Sequence, residues 1–293
     1  MTTFQRILCP IDYSEYSRRA LDHAVAIAHW YGGTVKALHV LQPLPYTDPI
    51  VGLASVYTPE DVEQAQRHLS QFVHDEVGST PVEAVVVEGH VSRTIVREAR
   101  AMSADLLVLG THGHTGFEHL LLGSVTERVL RTATCPVMTV PRQAPDVVEA
   151  GPVVFGRILC AVDFSPVSSK ILNYAESLAR ESGAHLTVIH VVEPIPVYGV
   201  VIAGTTGVGT YEQVALDATK TRLHEMVPRG GRISELVSVG KPYRVILDYA
   251  RDEHSDAIVL GVHGGGADRL GFFGSTTNHI VREATCPVLS LRG

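Results

Sequence analysis

The chain repeats itself at a fixed offset, and that repeat limits its fold more than any other feature. Arg6-Ile-Leu-Cys-Pro-Ile-Asp12 recurs as Arg157-Ile-Leu-Cys-Ala-Val-Asp163, and Leu38-His-Val40 recurs as Ile189-His-Val191. Gly110-Thr-His-Gly113 returns as Gly261-Val-His-Gly264, and Ala133-Thr-Cys-Pro-Val137 as Ala284-Thr-Cys-Pro-Val288. Each pair lies 151 positions apart. A constant offset means that both copies follow the same chain path with no net insertion between landmarks. In 293 residues this predicts two domains of ordinary size, at 1–141 and 157–293, joined by a linker at 142–156.

Inside each copy, short β-rich runs alternate with longer helical ones, the pattern of a parallel sheet with crossover helices. In the first copy Ile7–Ile11, Thr34–Leu41, Val82–Val87, Leu106–Leu109 and Val137–Val140 read as strands. Most are near-continuous apolar runs, as strands covered on both faces require. Ser17–Tyr31, Pro59–Val77, Val91–Met102 and Ser124–Thr132 carry apolar residues at helical spacing. Thr58-Pro59 reads as an N-cap followed by proline at the first helical position, and Gly32 and Gly78 as C-terminal caps. The predicted fold is α/β: two tandem doubly wound domains, each a five-stranded parallel sheet of order 3-2-1-4-5 with helices on both faces. Val137–Val140 and Val288–Leu291 would be edge strands, open to pairing.

The formal charge of −7 divides evenly, with 11 Lys/Arg against 15 Asp/Glu in residues 1–145 and 13 against 16 in the rest. Neither half carries the basic footprint of a nucleic-acid binder. Met1–Arg6 has no basic segment followed by an apolar core. The uncharged stretch Pro194–Tyr211 is interrupted by Pro196 and several glycines, so it does not read as a membrane span. A cytoplasmic location is the default expectation. Cys9, Cys135, Cys160 and Cys286 adjoin apolar strand-like runs and read as small core residues, not as a disulfide framework.

The segment after the fourth strand carries the chemistry. Gly110-Thr-His-Gly113 is followed after nine residues by Gly123-Ser124, which opens a helix; the second copy has Gly261, Gly264 and Gly274-Ser275-Thr276 at the same spacing. Glycines at the end of a buried strand let backbone N–H groups approach a ligand closely. A helix that starts there presents unpaired N–H groups and its positive dipole end, and together these form a phosphate cradle. Ser124 could cap its helix in a capping box with Glu127, or its hydroxyl and that of Ser275 could donate to phosphate. Asp12 and Asp163 end the first strands, where ligands of open parallel sheets sit. Each suits ribose hydroxyls or a base amino group, and the competing role is to cap the helix beginning near Ser14 or Ser17.

Gly-x2-Gly-x9-Gly-Ser after the fourth strand, aspartate ending the first, and the closing Thr-Cys-Pro-Val strand together resemble the ATP-binding branch of the universal stress protein family, over nearly the whole chain. The resemblance implies that Asp12 and the backbone of Val40 contact adenosine, while Gly110, Gly113, Gly123, Ser124 and Val125 hold ribose and phosphates. It implies Asp163, Val191, Gly261, Gly264, Gly274, Ser275 and Thr276 for a second site, with Thr276 standing where the first copy has Val125. It further implies that the fifth strands pair across a two-fold, here within one chain, and that larger homo-oligomers would form through other surfaces. The expected ligand is ATP with Mg²⁺ bridging its phosphates, with AMP and cyclic AMP as alternatives. The expected role is that of a regulatory stress-response module read by a protein partner.

Two enzyme-like signals are weaker. His112-Gly113-His114 resembles the His-x-Gly-His signature of nucleotidyltransferases, but that motif follows a first strand and this one follows the fourth. A zinc site of His112, His114 and His119 has Gly265 and Leu270 at two equivalent positions and no clustered cysteine. Neither loop has a Walker-type Gly-Lys-Ser/Thr, and between the inner glycines the only Lys or Arg is Arg269. Slow ATP hydrolysis, with His112, His263 or Arg269 as candidates, is one alternative to a binding module. A pseudo-dimeric interaction scaffold with little nucleotide dependence is the other.

Overall fold

A computed structural model describes residues 3–43, 57–77, 80–113, 122–144, 155–194, 208–262 and 274–292. Gly78, His114, His119, His263, Gly264, Gly265, Arg269 and Leu270 lie outside the described residues, as does most of both loops after the second strands. The first half runs β1 (Arg6–Pro10), α1 (Glu15–Tyr31), β2 (Thr34–Leu41), α2 (Pro59–Val77), β3 (Val82–Glu88), α3 (Val91–Ala101), β4 (Leu106–Gly110), α4 (Ser124–Thr132) and β5 (Val137–Val140). The second runs β6 (Arg157–Ala161), α5 (Ser168–Ser182), β7 (His185–Val192), α6 (Val208–Met226), β8 (Ile233–Val239), α7 (Pro242–Asp252), β9 (Ala257–Gly261), α8 (Ser275–Glu283) and β10 (Val288–Leu291).

Local sequence accounts for most boundaries. In α1, Ala20, Leu21, Ala24, Ile27 and Ala28 are buried at helical spacing. Ser14 caps its start, the hydroxyl accepting from Ser17 N, so the helix begins two residues before Ser17; Gly32, at φ 61°, closes its end. At α2, Thr58 Oγ1 accepts from Asp61 N at 3.2 Å and the Asp61 carboxylate accepts from Thr58 N at 2.7 Å, a reciprocal cap. The predicted capping box at α4 is not formed. Gly123, not Ser124, is the N-cap and no side chain caps the helix, while the Glu127 carboxylate pairs with Arg131 at 2.6 Å.

Within each half the strand order is 3-2-1-4-5, all parallel, and the halves share one ten-stranded sheet. They join through antiparallel pairing of β5 with β10, Val288 opposite Thr139 and Ser290 opposite Val137. The two exposed edges expected from sequence therefore satisfy one another. Helices α1, α2, α5 and α6 contribute Leu21, Leu69, Ile171 and Leu223 to the core on one face. On the other face α3, α4, α7 and α8 contribute Ile95, Val129, Ile246 and Ile280.

A second contact between the halves is reciprocal. Phe4 lies against Tyr174 of α5 at 5.6 Å, and its counterpart Phe155 lies against Trp30 and His23 of α1 at 5.3 and 6.4 Å. Both phenylalanines are fully buried. His23 and Tyr174 occupy equivalent positions in the two halves, so each half inserts its leading aromatic residue at the same point of the other half's first helix. The four cysteines are free thiols; Cys9, Cys160 and Cys286 are buried and Cys135 is half-buried. Burial raises all four above the usual thiol range.

Candidate functional site

Each half has a cavity at the carboxyl ends of its strands, between the first and fourth strands where the chain order reverses. The first, of about 280 Å³, is lined by all seven residues expected there: Asp12, Val40, Gly110, Gly113, Gly123, Ser124 and Val125. The second, of about 460 Å³, is lined by Asp163, Val191, Gly261, Gly274, Ser275 and Thr276. Gly264 falls outside the described residues.

Both glycine loops are latched at their bases. Gly123 N donates to Thr111 O at 2.9 Å and Thr126 Oγ1 donates to Gly110 O at 2.8 Å. The second half repeats this with Gly274 N to Val262 O at 3.0 Å and Thr277 Oγ1 to Gly261 O at 2.7 Å. The strand end and the helix start are thus held together whatever lies between them. The first backbone bond of α4 runs from Glu127 N to Gly123 O at 2.9 Å. The N–H groups of Ser124, Val125 and Thr126 therefore precede the helix ladder at the cavity edge, and among the described residues neither α4 nor α8 has a side-chain cap. An uncapped helix start keeps its positive end for an anion.

Two glycines of the first half leave no free room for a side chain. A Cβ at Gly110 would lie 2.5 Å from Tyr16 Cβ, and one at Gly113 would collide with Asp12 Oδ2. Asp12 divides its two oxygens between the competing roles raised by the sequence. Oδ1 accepts from Ser14 N at 3.1 Å and Ser14 Oγ at 2.5 Å, which supports the α1 cap. Oδ2 is the oxygen turned toward Gly113. In the second half Asp163 Oδ1 accepts from Ser165 N at 3.0 Å and Ser168 Oγ at 2.9 Å.

Residues that the motif did not single out also line the cavities: His39 and His190, Thr126 and Thr277, Ile95 and Ile246. Each pair recurs at the repeat offset, so comparison of the two copies held the signal. Burial lowers both histidines below the usual range, opposed by the backbone carbonyl each one bonds. His112, a hydrolysis candidate, has Nδ1 3.0 Å from Thr111 Oγ1 and its ring 5.3 Å from that of Tyr16.

The arrangement is that of a doubly wound α/β domain with a glycine strand end, a helix start and a strand-end aspartate gathered at the topological switch point. The chain matches the Universal stress protein family twice, over residues 3–141 and 155–292, and belongs to that family. A universal stress protein of Methanocaldococcus jannaschii is 34% identical over 143 residues, covering 47% of this chain and 83% of the relative. A universal stress protein of Mycolicibacterium smegmatis is 25% identical over 297 residues, covering 98% and 96%. The crystal structure of a universal stress protein from Archaeoglobus fulgidus has the same fold across 100% of this chain and 98% of its own, with a TM-score of 0.68 at 20% identity. No helix among the described residues is long and apolar enough to cross a membrane.

Proposed function

We propose that each half binds one adenine nucleotide, ATP with Mg²⁺, and that the chain acts as a two-site nucleotide-dependent regulatory module. The observation that carries this reading is the pair of uncapped helix starts, each latched to a glycine strand end beside a strand-end aspartate. The residues present fit the ligand. The absent side chain at Gly113 lets the loop backbone lie directly against the Asp12 carboxylate, so that both border the same cavity. Asp12 Oδ2 would accept from ribose hydroxyls, and Asp163 would do so in the second half. The backbone of Val40 and Val191 would meet the base. Gly110, Gly113, Gly123, Ser124 and Val125 would enclose the phosphates, as would Gly261, Gly264, Gly274, Ser275 and Thr276. Bound Mg²⁺ would neutralise phosphate oxygens.

The described part of the site lacks equipment for rapid turnover. Among the described residues that line the first cavity there is no Lys or Arg to clamp a terminal phosphate, and His112 is the hydrolysis candidate present. Occupancy would alter a surface that a partner reads. The test is to release nucleotide from purified protein by denaturation, quantify it by chromatography, and follow ATP turnover over an hour. Near-stoichiometric ATP at both sites with negligible turnover supports the module. Absence of nucleotide, with no binding on titration, overturns it in favour of an interaction scaffold; sustained ADP production makes it an enzyme.

A further inference from the structure

The turn that bears each site aspartate is built in the same costly way in both halves. Tyr13 and Phe164, directly after Asp12 and Asp163, have φ of 65° and 59°. This is left-handed backbone that bulky side chains rarely adopt and that persists only where the surroundings impose it. Each ring lies on a second-strand histidine, Tyr13 on His39 at 4.7 Å and Phe164 on His190 at 4.2 Å between centroids. Each histidine in turn holds the carbonyl just before the aspartate, with Nδ1 of His39 2.8 Å from Ile11 O and Nδ1 of His190 2.8 Å from Val162 O. A carbonyl only accepts, so Nδ1 is the protonated nitrogen in both rings.

The same residues are tied a second time. Ile11 N donates to Leu38 O at 2.8 Å and Val162 N to Ile189 O at 3.0 Å. The residue before each aspartate is thus fixed through both backbone groups, and the residue after it through its ring. A cation-capable side chain also lies on each ring, but from non-equivalent positions. His68 of α2 stacks on Tyr13 at 4.4 Å, whereas the Arg222 guanidinium of α6 lies 4.4 Å over Phe164. The contact persists although the residue supplying it has moved along the helix. A core that needed only filling would not demand left-handed backbone at an aromatic residue twice.

We propose that His39 and His190, together with the rings of Tyr13 and Phe164, are positioning residues that aim the carboxylates of Asp12 and Asp163 at ribose hydroxyls. The proposal rests on the nucleotide reading above and deepens it. His39 and His190 border the cavities, and the role assigned to them acts through the direction of a carboxylate. Their contribution therefore shows in discrimination between ribose and a sugar without hydroxyls, not in phosphate affinity.

The test compares ATP with 2′,3′-dideoxy-ATP by titration calorimetry on the full chain. Asp12→Asn/Asp163→Asn calibrates how much of the preference for ATP the carboxylates carry, roughly tenfold if they accept as proposed. His39→Gln/His190→Gln puts an amide where Nε2 stood, out of reach of the carbonyl, and should collapse the preference to the calibrated level. His39→Asn/His190→Asn puts an amide where Nδ1 stood and should retain most of the preference. Tyr13→Leu/Phe164→Leu removes the rings, keeps both histidines and should also collapse it, which provides a second reading if the glutamine variant does not fold. Parallel weakening of both nucleotides, or an unchanged preference in the glutamine and leucine variants, overturns the positioning role. An unmodified chain that binds both nucleotides equally instead overturns the assignment of Asp12 and Asp163 to ribose, which is a separate failure.

Discussion

The two halves trace the same fold, yet they secure it with different residues at several points. Asp12 Oδ1 takes its hydroxyl from Ser14, two residues on, and Asp163 Oδ1 takes it from Ser168, five residues on. The ring after the aspartate carries His68 in one half and Arg222 in the other. In contrast, the strand-end glycine, the threonine that bonds its carbonyl, and the histidine on the second strand recur at the repeat offset. Where a contact can be supplied from several positions, the copies have drifted. Where it depends on one backbone carbonyl or on the absence of a Cβ, they have not. The cavity walls differ more freely: Val91 and Val125 of the first become Pro242 and Thr276 in the second, with volumes of about 280 and 460 Å³.

The sharpest way to separate the sites is Gly113→Val. Its Cβ would collide with Asp12 Oδ2, so binding at the first site should be lost while the second still fills. Nucleotide released per chain should fall to half, and an unchanged amount would break the claim that the sites are built alike. Next come the exchanged aromatics. Phe4→Ala and Phe155→Ala each empty a fully buried site between the halves, and each should cost about 3–5 kcal/mol in denaturant unfolding. Similar losses would support a symmetric junction, whereas a loss confined to one variant would show that one half leads the docking.

Acid should distinguish the halves further. Burial lowers His23, which is held neutral at the junction beside Arg19, while Tyr174 stands at its equivalent position. A histidine with a lowered folded value binds fewer protons folded than unfolded. Its stabilisation is complete above the unfolded value of about 6.5 and declines as pH falls below it, by up to about 1.4 kcal/mol per pH unit. Melting temperatures between about pH 7.5 and 5.5 should therefore fall. His23→Phe should reduce that slope, leaving the part due to His39 and His190; an unaltered slope would mean that His23 does not titrate with unfolding. The smallest effect is expected for Tyr13→Phe, which makes the first half match Phe164. The Tyr13 hydroxyl is buried without a hydrogen-bond partner among the described residues, so its removal should stabilise by up to about 1 kcal/mol. A clear loss of stability would show that the hydroxyl has a role that Phe164 does without.

Much of the fold was legible because its signals are linear. The 151-residue offset, the apolar runs of β1 and β4 and the helical spacing of α1 can each be counted along the chain. The glycine spacing was legible for the same reason, and all seven residues expected in the first cavity line it. The α4 capping box failed instructively. Ser124 and Glu127 satisfy the local rule, but the latch from Gly123 N to Thr111 O moves the cap back by one residue. That bond joins segments on either side of the glycine loop, which no local pattern records.

The sequence alone thus determined that there are two copies, that each alternates strand and helix, and that each ends its fourth strand in a glycine loop. Those properties depend on residue order and period, which propensity and backbone sterics translate directly into local structure. Tertiary structure decided which oxygen of Asp12 serves the cap and which lies against Gly113. It also decided that Phe4 and Phe155 change places between halves and that His39 holds Ile11 from 28 positions away. Those outcomes depend on which groups a closed sheet brings within hydrogen-bond or van der Waals reach, and such distances are set only once the chain has packed.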